Sequence, residues 1–170
     1  MTVLVIMGVS GSGKTAFAEA LAARLGWPFQ EGDALHPPAN VEKMRSGRPL
    51  DDADRWPWLD RIAAWIDARL AAGENGVITC SALKRAYRAR IIGARAGVRL
   101  VFLTATPTLL AQRVGGRKHA YMPASLLASQ LATLERPGAD EDPIVLHVDA
   151  PVAALVEQAV ALLPAPHTPG

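Results

Sequence analysis

At 170 residues the chain is of a size that one hydrophobic core can serve, so no second domain is needed. Its 18 lysines and arginines against 16 aspartates and glutamates leave a formal +2, and the two signs are interspersed, which excludes the clustered basic footprint of a nucleic-acid partner. Cys80 is the only cysteine, so an internal disulfide is excluded and a reducing, cytoplasmic setting is expected.

The first apolar run, Val3–Met7, is far too short for a signal core or a membrane span and reads as a buried strand; no membrane partner is expected. It leads into "GVSGSGKT", residues 8–15, which satisfies G-x-x-x-x-G-K-[ST] and opens the helical stretch "TAFAEALAARL". Glycines at 8, 11 and 13 let the chain turn tightly, so that the amides of Gly8, Val9, Ser10, Gly11, Ser12 and Gly13 face inward and form an anion cradle with the helix start. Turn chemistry alone can place glycine and serine after a strand, but it does not require the lysine, the hydroxyl and the helix that follow. The ligand implied is a polyphosphate: Lys14 would reach its β- and γ-phosphates, and the Thr15 hydroxyl would coordinate Mg²⁺.

A weaker strand, "PFQ" at 28–30, precedes "EGDALHPPAN", residues 31–40, which is too broken by proline to be a helix or an interior strand. Asp33 leaves that second strand at the carboxyl edge of the sheet, beside the cradle, where ligands sit in open α/β sheets. Glu31 is a candidate to assist Mg²⁺ through water, and equally an exposed loop acid. From Asp54 to Leu70 a helix is expected, with Trp56, Leu59, Ala63, Ile66 and Leu70 on one face and Asp60, Arg61, Asp67 and Arg69 solvated. Val77–Cys80 is a third strand, followed by "SALKRAYR" on the same edge, and Val98–Leu103 is a fourth. Pro107 starts the next helix, and Pro123 the one after it. Between them "RVGGRKHAYMP", residues 113–123, mixes Gly-Gly with Arg113, Arg117, Lys118 and His119, the makeup of a lid that brings cations onto phosphate. Ile144–Val148 is the last strand, Pro151 opens the last helix, and "PAPHTPG" reads as a frayed tail.

Apolar strands without polar alternation, each followed by a helical segment, are the pattern of a parallel sheet covered on both faces, so the class is α/β with a P-loop NTPase fold. No internal strand ends in the metal-holding acid of a motor ATPase, and no N-K-x-D motif selects guanine. ATP-dependent phosphoryl transfer to a small acceptor remains, with a lid to exclude water.

"GVSGSGKT", "EGDALHPPANVEKMRSGRPLDDADRWPWL", "CSALKRAYR" and "PASLLASQLATLERPGADE" together resemble, in order, the motifs of the gluconokinase family, over about residues 3 to 149. The resemblance implies a five-stranded parallel sheet akin to shikimate and adenylate kinases, and usually a homodimer; the residues themselves are read as a single domain spanning 1–163, with a small mobile lid over about 114–122, and a flexible tail at 164–170. It implies that ATP and Mg²⁺ serve to convert D-gluconate into 6-phosphogluconate. The rivals are a kinase for another small sugar acid or polyol, and a nucleotide-binding regulator without catalysis. In a gluconokinase-like site Asp33 would hydrogen-bond the reacting hydroxyl and His36 would contact the polyol. Lys14, Asp33 and Arg117 are then the catalytic set, and Arg113 and Arg117 close over the nucleotide. The substrate carboxylate calls for a cation, for which Arg55, Lys84 and Arg88 are the candidates. One departure stands in the lid: the family shows Arg-x-x-His before an aromatic, whereas "RKHAYMP" puts His119 one position early and Ala120 in its place.

Overall fold

A computed structural model describes residues 1–9, 11–115 and 124–164, with only the backbone described for 113–115 and 124–126. The strands β1 (Val3–Met7), β2 (Phe29–Gln30), β3 (Gly76–Thr79), β4 (Val98–Thr104) and β5 (Ile144–His147) form one sheet in the order β2-β3-β1-β4-β5. Every pairing is parallel, with Val5 of β1 opposite Ile78 of β3 on one side and Leu100 of β4 on the other. The expected five-stranded α/β sheet is therefore observed. Its central strand is buried along its whole length because helices cover both faces. At the edge, β5 alternates instead: Ile144 and Leu146 point inward while Val145 and His147 are exposed.

On one face α1 (Lys14–Leu25) and α7 (Val152–Leu162) bury Phe17, Leu21, Leu155 and Val156 against Leu4, Ile6 and Leu146. On the other, α3 (Asp52–Ala71) and α4 (Arg85–Ile91) bury Leu59, Ile62, Ile66, Tyr87 and Ile91 against Val5, Met7 and Ile78. The buried stripe of α3 is Trp58, Leu59, Ile62, Ala63 and Ile66; Trp56 and Leu70, expected inside, lie at its half-buried margins. The helix also starts earlier than expected, because Asp51 and Asp54 form a reciprocal capping box: the Asp54 amide donates to Asp51 Oδ1 at 2.8 Å, and the Asp51 amide donates to Asp54 Oδ2 at 3.0 Å.

The proline-broken segment is more ordered than its composition suggests. Gly32–Leu35 forms a turn of 3-10 helix, and α2 (Pro38–Arg45) begins directly on a proline. A proline there lacks only an N–H that no first-turn residue can use within the helix. A smaller apolar cluster of Val9, Leu83, Leu110 and Leu127 joins the cradle and the loop after β3 to α5 (Pro107–Gly115) and α6 (Ala124–Thr133). The segment expected to act as a lid falls largely outside the described residues, as does the tail from residue 165.

Candidate active site

All parallel strands deliver their carboxyl ends to one edge, and the loops after β1, β2 and β3 meet there. After β1 the backbone at Gly8 comes so near that an added Cβ would lie 2.8 Å from the Leu103 carbonyl oxygen, at a φ of +156°. Gly13, at φ 88°, then turns the chain into α1. The Ser12 hydroxyl donates to the Val9 carbonyl at 2.7 Å, and Lys14 Nζ folds back onto the same oxygen at 3.2 Å. Ser10 lies outside the described residues.

The turn bearing Asp33 is pinned from three sides. The Gly32 amide donates to Thr79 Oγ1 at 2.9 Å, and the Trp58 indole donates to the Gly32 carbonyl at 2.8 Å. A Cβ on Gly32 would sit 1.7 Å from the Thr79 carbonyl oxygen, so only glycine permits this approach. Beside it Glu31 bridges two hydroxyls, accepting from Thr15 Oγ1 at 2.6 Å and from Thr79 Oγ1 at 2.5 Å. Sequence reasoning placed Thr15 and Glu31 but not Thr79, which ends an apolar strand and looks like any β-branched residue there.

Lys14 and Asp33 act on each other electrostatically. Burial lowers the Lys14 ammonium, with the negative Asp33 chief among the groups opposing that shift. Asp33 is exposed as a residue, yet the protein packed around its carboxyl raises it above the ordinary aspartate range; Lys14 opposes the rise and Glu31 adds to it. The structure thus brings Lys14, Thr15, Glu31 and Asp33 to one place.

His36 is 9% exposed and stacked on Trp58, ring centroids 4.2 Å apart. Burial and the positive Arg55 hold its imidazole down to about 4, so it is neutral at physiological pH. Asn40 Nδ2 lies 3.1 Å from His36 Nδ1 and 2.8 Å from the Asp54 carbonyl, which engages both amide hydrogens and leaves the His36 proton on Nε2. Neither Trp58 nor Asn40 was foreseen as a support for this histidine.

The three cations expected for a substrate carboxylate separate into two groups. Arg55 and Lys84 flank the Tyr87 ring, each 5.6 Å from its centroid, and Arg55 Nη1 donates to the Tyr87 hydroxyl at 3.2 Å. Both remain partly open to solvent. Arg88 does not join them. It is 2% exposed, pairs through Nε with Glu141 Oε1 at 2.6 Å and through Nη2 with Glu141 Oε2 at 3.2 Å, and donates through Nη1 to the carbonyls of Ala82 at 2.8 Å and Leu83 at 3.3 Å. With its donors engaged inside the protein, Arg88 braces the loop after β3, and its assignment as a substrate ligand is withdrawn. The side chain of Arg113 is not among those described, and Arg117 and His119 lie outside the described residues altogether.

A half-buried glycine-rich cradle for phosphate, an oxygen pair suited to a hard cation, a carboxylate opposite an ammonium, and a polar wall with two accessible cations are the parts of a phosphoryl-transfer site for a small anionic acceptor. A family model described as an AAA domain matches residues 3–137. A gluconokinase of Gluconobacter oxydans is 56% identical over 142 residues, which cover 84% of this chain and 79% of that protein. Among solved structures, a gluconokinase from Sinorhizobium meliloti is 48% identical with a TM-score of 0.82, covering 94% of this chain and 90% of its own. A sugar kinase from Janibacter sp. HTCC2649 is 46% identical with a TM-score of 0.88, covering 95% of this chain and 93% of its own.

Proposed function

We propose the reaction on one footing: this chain belongs to the gluconokinase family. It phosphorylates D-gluconate to 6-phospho-D-gluconate, with ATP as donor. The observation that carries the assignment of roles is the meeting of Lys14 and Asp33 at the carboxyl edge of the sheet, each the main opposite charge acting on the other.

In this reading Asp33 accepts a hydrogen bond from the 6-hydroxyl, aligns its oxygen with the terminal phosphorus of ATP and takes its proton as the O–P bond forms. The ADP oxygen leaves on the opposite side, where Lys14 and the loop amides of residues 8–13 hold the charge that develops. Thr15 and Glu31 offer the hard oxygen donors that Mg²⁺ prefers, and because the Thr15 proton is directed to Glu31, the hydroxyl's lone pairs are left for the ion. That ion, when bound, neutralises charge on the β- and γ-phosphates. His36 presents Nε2–H to a polyol hydroxyl as a neutral donor. Arg55 and Lys84 grip the carboxylate at the far end of the substrate, and Arg113 and Arg117 close over the nucleotide as the family resemblance implies.

A cytoplasmic homodimer completes the proposal; light scattering reads the dimer directly. Among the described residues no helix is long and apolar enough to cross a membrane. The deciding experiment is ADP release from ATP with and without gluconate, followed by a panel of related sugar acids and neutral polyols. Strong stimulation by gluconate is expected. Equal rates would support a nucleotide-binding regulator, and a better acceptor in the panel would reassign the substrate.

A further inference from the structure

Arg55, Lys84 and Tyr87 converge on a carboxylate that belongs to the protein itself. Asp52, the first residue of α3, accepts from the Tyr87 hydroxyl and from Lys84 Nζ at 3.3 Å on its Oδ1, and the same oxygen lies 3.9 Å from Arg55 Nη1. A phenol, an ammonium and a guanidinium directed at one carboxylate oxygen are the donor set by which proteins recognise a bound organic acid. Tyr87 is 3% exposed and held in the core, so its hydroxyl is a fixed point, whereas the Asp52 side chain is 49% exposed and able to swing outward. Arg55 is also the positive group that acts on His36, which places the cluster next to the wall proposed for the polyol.

Charge counting decides what happens when a second carboxylate arrives. With Asp52 in place, two cations face one anion, and a substrate carboxylate added beside it would bring two like charges together within a shared set of donors. Exchange of one carboxylate for the other keeps the count unchanged. We propose that Asp52 is an internal competitor, which occupies the carboxylate subsite of the empty protein and is displaced from Lys84, Arg55 and Tyr87 by the carboxylate of the incoming sugar acid. Asp52 thereby sets the affinity for acidic acceptors and has no comparable effect on neutral ones. This rests on the gluconate reading of the site and names the group that tunes its specificity.

Calorimetric titration of D-gluconate, and of its uncharged counterpart D-glucitol, into the wild-type chain and into Asp52→Asn tests the exchange without relying on turnover. Asparagine keeps the shape and the acceptor oxygen for Tyr87 but removes the charge. Gluconate is expected to bind the variant about tenfold more tightly, with glucitol unchanged. Asp52→Ser, which keeps a short uncharged polar side chain at the first helical position and leaves the Asp51 cap intact, should tighten gluconate binding in the same direction and serves if the asparagine variant folds poorly. Unchanged or weaker gluconate binding, no binding to either protein, or an equal gain for glucitol would each overturn the exchange. Tighter gluconate binding to the variant in a protein that releases no ADP with gluconate would overturn the reaction and leave the exchange standing.

Discussion

Asp33 has to be ionised to accept a proton, in surroundings that favour its neutral form. An acid raised on folding binds more protons in the folded state than in the unfolded one across the interval between its two pKa values, so stability falls as pH rises through that interval. Asp33→Asn is therefore expected to abolish transfer while ATP still binds, and to melt at a higher temperature than wild type at neutral pH. ADP assays, nucleotide titration and thermal melts check the three parts, and an active variant would refute the base assignment. His36 works in the opposite direction. Its imidazole falls from 6.5 to about 4, so the unfolded chain takes up a proton that the folded one refuses. The stability it contributes is present above 6.5 and lost as pH falls toward about 4, up to about 3 kcal/mol in all. Urea unfolding of His36→Gln should show a clearly flatter acid limb than wild type over that range; an equal slope would assign the acid sensitivity to other groups.

Among the elements, the loop after β3 is held by the segment that follows α6. Glu135 donates its amide to the Leu83 carbonyl at 2.7 Å and accepts from the Arg85 amide at 2.8 Å, while Arg88 and Glu141 form the buried pair beside it. Removing one member of such a pair leaves the other charge without a partner in a site that water reaches poorly. Glu141→Ala is expected to lose about 3–5 kcal/mol in chemical denaturation. The combined replacement Arg88→Met with Glu141→Leu should cost less than Glu141→Ala alone, because no charge is left stranded. A double variant as unstable as the sum of its parts would show that the pair itself, more than its burial, holds the loop.

At the level of the whole molecule, the cluster of Val9, Leu83, Leu110 and Leu127 joins the phosphate loop, the acceptor-side loop and the two helices that flank the expected lid. Leu110→Ala should cost about 2–5 kcal/mol by the cavity it leaves. It should also raise KM for both ATP and gluconate, because Leu110 shares one apolar cluster with Val9 and Leu83 of the two loops; a loss of stability with both constants unchanged would reduce the cluster to packing. Much of this architecture was legible in the chain. Val3–Met7 announces a buried strand by uninterrupted apolar residues, Ile144–Val148 announces a strand that His147 interrupts and that lies half-exposed at the sheet edge, and residues 8–15 carry their chemistry in local spacing. What escaped depends on partners distant in sequence. Arg88 resembles a ligand-binding cation until Glu141, 53 positions away, is seen against it. Tyr87 and Asp52 meet across 35 positions, and nothing in either helix alone reveals the other.

The position of the only thiol has a practical consequence. Cys80 is 1% exposed just beyond β3, and burial pushes its sulfhydryl up to about 12, so thiolate-directed reagents find little to react with in the native chain. A cysteine introduced at an exposed position beside the site, such as Ala34, would be the single readily labelled thiol of the folded protein. A dye attached there, next to Asp33, would report the arrival of the sugar acid with no background from the natural sequence.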